Sequence, residues 1–386
     1  MRMPLPRMDL WQKQPRFLKQ AFRSLPRGMT PEILAGIALE PTADARLIQR
    51  PTSDPTSQWR LRSSPGLTTR DFRILPTTNW TLLVREVETW IPAYWQWWHR
   101  FRFLPWWRFD DLMVSYATPG GGVGAHTDRY DVFLVQLQGK RQWQIETAPA
   151  REHPCRPGLP LRILKDFRPT AARDLDRGDA LYLPPDYAHD GKAITSTLTL
   201  SIGFRAPLLR EIWRALPAAK RGKKPPTNTL LTDPGIRLTA RPGALGHTYI
   251  KHVKKLLRLT TASDAAVADA LGRTVTRPRR YIERHPRVVS ESWLEKRLGK
   301  DSLRLFRNPR VRACYHETST PSKSTTVFSN GTAIPCPDRF TKRITDFLDI
   351  GRLEFKLEKA DASEAAFLAA LLQTGLLQID RYFNKT

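Results

Sequence analysis

Cysteine is scarce in this chain: Cys155, Cys314 and Cys336 are the only three in 386 residues, and none sits close to another. That excludes a disulfide-stapled scaffold and fits a reducing compartment. No apolar stretch approaches the ~20 residues that a membrane-spanning helix needs. The arginine-biased start, Met1 to Arg27, also lacks the apolar run of a secretory signal. The expectation is a cytoplasmic protein whose first residues already belong to the fold. Acid is the other shortage, with 37 Asp and Glu against 63 Lys and Arg and a formal charge of +26. Such an excess favours polyanions as neighbours, through non-specific RNA or DNA contact rather than base reading. The glycine-rich run at 120–124 has no following Gly-Lys-Ser/Thr or helix start, which excludes a phosphate-cradling loop.

What that run does lead into is Ala125-His126-Thr127-Asp128, answered further along by Pro184-Pro185-Asp186-Tyr187-Ala188-His189. Two imidazoles and a carboxylate can take one face of a metal and leave the other open, which suits non-haem Fe(II) in an oxygenase. Taken alone, a His-x-Asp pair is common in solvent-facing loops, and a single buried histidine is more often satisfied by a backbone carbonyl. The flanking sequence favours ligation. If His126 and Asp128 lie on a strand, i and i+2 share a face and both reach one ion. Residues 130–139 read as a buried strand ending at a glycine, and Arg141 to Ile145 resumes with alternation, so the pair is expected to open a hairpin. Asp176 to Pro185 reads as a Gly-Asp turn and a short strand closed by prolines, with His189 just past its end. Ser196 to Phe204 reads as another alternating strand. Short strands with turn signals imply an antiparallel barrel or sandwich with a ligand at its mouth.

These stretches, with Trp11 to Pro15, Pro105 to Ser115, Gly178-Asp179 and Ser201 to Pro207, resemble the double-stranded β-helix (cupin/JmjC jelly roll) 2-oxoglutarate oxygenases. Within that group the chain is similar to the bacterial ribosomal oxygenases, which hydroxylate an arginine of large-subunit ribosomal protein sixteen. The resemblance spans residues 9 to 207. It implies that His126, Asp128 and His189 hold Fe(II), that Arg141 pairs with the distal carboxylate of the co-substrate 2-oxoglutarate, and that O2 is consumed. It gives Ser115 as a second co-substrate contact, although a plain strand-end hydroxyl fits that position equally. A cationic target would want carboxylates and aromatic faces, for which Asp131, Tyr130 and Asp111 are all open candidates. The other readings of the same iron core are a JmjC-type hydroxylase or demethylase of another basic protein, and an inert cupin acting as a ribosome- or RNA-binding factor. Retention of the full ligand set with Arg141 speaks against inertness.

The expected class is α+β, with residues 1–207 as the catalytic domain. Residues 208–297 are expected to be a helical linker which, by the resemblance, makes a homodimer, and 298–386 a winged-helix-like domain. Pro217 to Pro226 is a basic loop, Tyr249–Leu259 and Ala262–Leu271 have helical spacing, and Asp361 and Gly375 cap and stop a last helix. The arginines from 339 to 343 could meet phosphates, yet no dense recognition helix accompanies them. The aromatic stretch from Trp90 to Trp107 could stack bases, and core packing is the preferred use because Ile91, Trp95 and Trp98 recur at helical spacing. His99, His153, His247, His252, His285 and His316 lack ligand spacing.

Overall fold

The computed structural model describes residues 10–53, 58–149, 154–217, 228–235, 238–278, 290–298, 302–317, 324–351, 354–357 and 360–379. The chain divides into two compact units, one of residues 1–100 and 109–205, the other of 101–108 and 206–386.

The first unit carries β1 (Arg16–Leu18), α1 (Pro31–Ala38), β2 (Asp44–Gln49), β3 (Arg60–Ser63), α2 (Thr69–Arg73), β4 (Trp80–Arg85) and α3 (Pro92–Trp97). These are followed by β5 (Phe109–Ala117), β6 (Asp131–Gln138), β7 (Arg141–Pro149), β8 (Ala171–Leu175), β9 (Ala180–Leu183), β10 (Tyr187–Ala193) and β11 (Thr197–Phe204). They form an eight-stranded sheet, β1-β9-β6-β11-β5-β4-β2-β3, and a three-stranded one, β10-β7-β8. All of these pairings are antiparallel, as a jelly roll requires.

Three local expectations need correction. The His-x-Asp segment does not open a hairpin: β6 is flanked by β9 and β11, so it has no free edge for β7. The chain instead crosses at Gly139, whose φ of +71° favours glycine, into the other sheet. His126 is not on a regular strand either, but in a single bridge with His189, and His189 lies within β10 rather than beyond a strand end. The third correction concerns β11, which is buried along its whole length because β5 and β6 pair with both its edges and both its faces are covered.

The start of the described chain packs as part of this unit. Trp11 is buried with its ring stacked 4.8 Å from that of Tyr182, and β1 pairs with β9. Tyr94, Trp95, Trp97, Phe101, Phe103, Trp106 and Trp107 are all buried, so this aromatic stretch serves packing rather than base stacking. The side chain of Trp98 lies outside the described set.

The second unit begins with α4 (Leu209–Ala215), α5 (His247–Leu256), α6 (Asp264–Val275) and α7 (Glu291–Leu298). It continues with β12 (Leu303–Arg307), β13 (Ala313–Glu317), β14 (Thr325–Ser329), β15 (Thr332–Cys336), α8 (Asp338–Ile350), β16 (Glu354–Leu357), α9 (Ala362–Gln373) and β17 (Leu377–Ile379). Its strands make two three-stranded sheets, β16-β12-β17 and β13-β14-β15. Asp361 caps α9 by accepting from the Glu364 amide at 2.9 Å, Glu364 returns the bond, and Gly375 follows at φ +79°. Tyr249, Ile250 and Val253 give α5 its buried face. Fully buried Arg108 is held by Asp233 through two 2.9 Å bonds, with Tyr249 donating to the same carboxylate at 2.7 Å. The basic loop expected at 217–226 lies outside the described residues from 218 onward.

Candidate metal centre

Two backbone bonds set the site. The His126 amide donates to the His189 carbonyl at 3.0 Å and the His189 amide returns to His126 at 2.9 Å, which ties the glycine loop to β10. The Asp186 amide then donates to the Asp128 carbonyl at 2.7 Å, fixing the carboxylate beside the pair. Gly122 permits this approach, since a Cβ there would collide with the Gly191 carbonyl.

His126, Asp128 and His189 thereby bring one ligand atom each within 4.8 Å of one another, and among the described residues no other such cluster occurs. Nε2 of His189 is 3.7 Å and Nε2 of His126 4.0 Å from Asp128 Oδ2. Both Nδ1 atoms face carbonyl oxygens, of Gly124 at 2.8 Å and Tyr187 at 3.0 Å. A carbonyl only accepts, so each Nδ1 carries a proton and each Nε2 is the nitrogen that faces Asp128. Burial, followed by the neighbouring His126, pulls the His189 imidazole down to about 4, so it stays neutral at physiological pH. Neutral nitrogen is what a divalent cation binds.

Behind this trio lies a deep cationic group. Arg141 starts β7 and reaches across to the eight-stranded sheet. One of its Nη atoms donates to Ser115 Oγ at 3.2 Å and Thr199 Oγ1 at 3.4 Å, and the other donates to the Gly191 carbonyl at 3.1 Å. Its Nε is buried without a partner. Arg141 is 2% exposed and each of its hydrogen-bond partners is neutral, with the Trp143 ring 4.7 Å from its Cζ and the Asp190 charge also acting on it. Burial lowers its pKa to about 10, which leaves it charged at neutral pH. Lys140, next in sequence, points elsewhere and pairs with Asp176 at 3.4 Å.

Of the open acidic and aromatic candidates, Asp131 is spent on the fold, accepting from Tyr182 at 2.7 Å and Gln12 at 3.0 Å. Asp111 accepts from Arg85 at 2.8 Å. Burial, then the charges of Asp128 and Asp111, keep the Tyr130 hydroxyl protonated. A Cβ at Gly203 would lie 3.5 Å from Asp111 Oδ1 and 3.7 Å from Tyr130 Cδ2, so these two side chains converge on one spot. A cavity of about 980 Å³ lies beside His126.

Sequence reasoning missed Thr199, Gln136 and Gly191. Thr199 sits opposite Ser115 and donates to Gln136 Oε1 at 3.0 Å, completing the polar floor under Arg141. The signal was available in the hydroxyls at Thr197, Thr199 and Ser201, a period-two polar row inside a strand that is otherwise apolar. Gly191 carried no comparable signal.

Residues 96–212 match the JmjC domain, and the chain therefore carries a JmjC domain on a cupin-type fold. It is homologous to the ribosomal protein uL16 3-hydroxylase of Escherichia coli (strain K12), with 39% identity over 203 residues covering 52% of this chain and 52% of that protein. A probable ribosomal oxygenase of Haemophilus influenzae is 34% identical over 253 residues, covering 64% of this chain and 61% of the relative. The aligned stretches thus span less than two thirds of either relative. A structure of the Escherichia coli ribosomal oxygenase YcfD in complex with cobalt and 2-oxoglutarate superposes with a TM-score of 0.66 at 26% identity, covering 98% of this chain and 99% of that one. No helix among the described residues is long and apolar enough to cross a membrane.

Proposed function

We propose that this chain is an Fe(II)- and 2-oxoglutarate-dependent hydroxylase acting on an arginine side chain of a large-subunit ribosomal protein. His126, Asp128 and His189 would hold the metal, and Arg141 with Ser115 would hold the distal carboxylate of 2-oxoglutarate. The observation that carries this reading is the buried Arg141 guanidinium. A buried cation whose hydrogen-bond partners are all neutral, with an orphaned N–H, costs several kcal/mol unless an anion joins it. A dicarboxylate fits that need, because one end can meet the guanidinium fork while the other reaches the three ligands.

Iron and 2-oxoglutarate bound there would supply oxidative decarboxylation to succinate and CO2, placing one oxygen atom of O2 in succinate and the other in a C–H bond of the target. The residues of the chain do the positioning. The Gly124 and Tyr187 carbonyls hold both imidazoles in the ligating tautomer, and the Asp186 amide fixes the Asp128 backbone. Thr199 and Ser115 orient Arg141. Tyr130 offers a ring to an incoming guanidinium, beside the Arg85-paired carboxylate of Asp111. The homologous uL16 3-hydroxylase supports a ribosomal protein as target.

We also propose that the protein acts in the cytoplasm, that residues 208–297 make a homodimer, and that 298–386 form a winged-helix-like interaction module. The mix of small sheets with α8 and α9 supports the last reading. Light scattering on the full chain tests the dimer.

To test the activity, purified protein is incubated with Fe(II), 2-oxoglutarate, O2 and ribosomal protein fragments. The expected result is succinate together with a fragment heavier by one oxygen. Loss of a methyl group instead would indicate a demethylase. Intact metal binding without any product would reject the hydroxylase reading.

A further inference from the structure

The cavity beside His126 has a charge pattern that the hydroxylase reading does not use. Arg46, Arg129 and Arg162 all line it and all are exposed, whereas Asp186 is the single carboxylate among the lining residues. Three different segments supply the cations. Arg46 lies on β2, opposite Ser63 of β3, which lines the same cavity with Leu61. Arg129 directly follows the candidate ligand Asp128. Arg162 comes from the stretch before β8, next to Ile163 and Leu164.

Elsewhere in this molecule arginines that serve the fold take carboxylates. Arg50 grips Asp190 at 2.7 and 3.0 Å, Arg85 pairs with Asp111, and Arg108 with Asp233. Arg46 and Arg162 depart from that habit, since neither guanidinium has a carboxylate partner among the described residues. Cations that outnumber the acid, with Arg129 beside Asp186 and Arg46 and Arg162 without a carboxylate partner, make an anion-receptive surface, and the chain as a whole carries +26.

That surface conflicts with a bare cationic target. Among the residues lining this cavity, an arginine-bearing basic segment would meet three like charges and one acid. The conflict is lifted if the segment arrives with its own polyanion, because phosphodiester oxygens match guanidinium forks and neutralise them. An acidic peptide could neutralise the same groups, but a ribosomal protein brings RNA with it.

We infer that the mouth of this cavity is a binding surface for the phosphodiester backbone of RNA, and that the target segment enters the site from an RNA-bound ribosomal protein. The second half of this inference rests on the hydroxylase reading; the first rests on the arginines of the mouth, and only its choice of RNA over an acidic peptide draws on that reading.

The test uses the full chain and a fluorescein-labelled single-stranded RNA oligonucleotide of mixed sequence, read by anisotropy across a salt series. The double variant Arg46→Ala/Arg162→Ala is expected to bind about tenfold more weakly, and its slope of log affinity against log salt should fall by about 1.4, or ~0.7 per lost contact. A charge-matched double variant on α8, Arg339→Ala/Arg343→Ala, should stay within about twofold of wild type at equal loss of net charge. Cobalt binding and a thermal melt verify that both variants are folded with the site intact. Equal losses in the two variants, or a mouth variant indistinguishable from wild type, would overturn the inference. So would tighter binding of poly-glutamate than of RNA at the mouth. Succinate formation with a free peptide is measured separately, so failure of the hydroxylase reading leaves the RNA result standing. Within that reading, faster turnover of an RNA-bound target than of the same free segment is expected, and the reverse order would reject the delivery route.

Discussion

His126 and Asp128 keep 26% and 23% of their side-chain surface exposed, whereas Arg141, at the other end of the same interior, keeps 2%. The outer end is a set of two imidazoles and a carboxylate converging on one point, the imidazoles oriented by carbonyls. The inner end is a cation bonded to hydroxyls and a carbonyl, with no carboxylate among its hydrogen-bond partners. A site built only for stability would have given Arg141 the carboxylate that Arg50, Arg85 and Arg108 all have. Under the proposed function, the two ends would complement different parts of one bifunctional anion, metal-binding at the mouth and charge-binding within.

The largest effect should come from the outer end. Asp128→Ala or His126→Ala is expected to lower succinate formation by more than about a hundredfold, beyond the usual cost of losing an outer-sphere partner. Cobalt titration should show lost binding, while the melting temperature of the metal-free protein stays near wild type because both side chains are partly exposed. Retained turnover would break the comparison at its first term.

Next in size is Arg141→Met, which separates binding from folding. Replacing a buried unpaired charge with an apolar side chain of similar volume is neutral or stabilising, so the metal-free protein should melt no lower than wild type. Affinity for 2-oxoglutarate should fall by about 2–5 kcal/mol, the cost of removing one partner of a buried charge pair. An unchanged KM for 2-oxoglutarate would show that Arg141 is structural.

Gly191→Ala perturbs the same end indirectly. The added Cβ would sit 2.7 Å from Arg141 Nε and 2.6 Å from the Trp143 ring. Overpacking of this kind costs about 1–3 kcal/mol. Calorimetry should show a lower melting temperature together with a raised KM for 2-oxoglutarate, and a fall in stability alone would place the strain away from the well.

The outer end was legible in the sequence because a His-x-Asp pair and a second histidine after a proline-closed strand are local patterns whose chemistry follows from residue type. Arg141 was found only through the family resemblance, since nothing local distinguishes a buried arginine from the exposed ones in so basic a chain. The hairpin expected after Asp128 was wrong for a related reason. Alternation in 141–145 and burial across 130–138 are strand signals, but which edge each strand pairs with depends on β9 and β11, far along the chain. Gly191 was invisible because its role is to leave room for side chains that meet only in three dimensions. Caps such as Asp361 were readable because they are satisfied within one turn.

The smallest effect tests whether an unpaired buried charge is by itself a mark of function. Glu88 is 4% exposed and accepts from the Leu112 amide at 3.0 Å and from its own backbone amide, with no cation partner among the described residues. Burial, and then Asp111, raise its pKa well above the ordinary carboxylate value. A group whose pKa is raised on folding binds its proton more tightly in the native state, so its contribution is present below the ordinary carboxylate range. That contribution is lost as pH rises through the folded value. Glu88→Gln mimics the protonated form. It should therefore raise the melting temperature at neutral pH, by about 2–4 °C for each kcal/mol regained, and the gain should vanish near pH 4, where the unfolded chain also takes up the proton. Unlike Arg141→Met, it should leave the KM for 2-oxoglutarate unchanged. If Glu88→Gln also weakened 2-oxoglutarate binding, desolvated charge anywhere in this unit would feed into the site, and the separation between the Arg141 end and the rest of the interior would not hold.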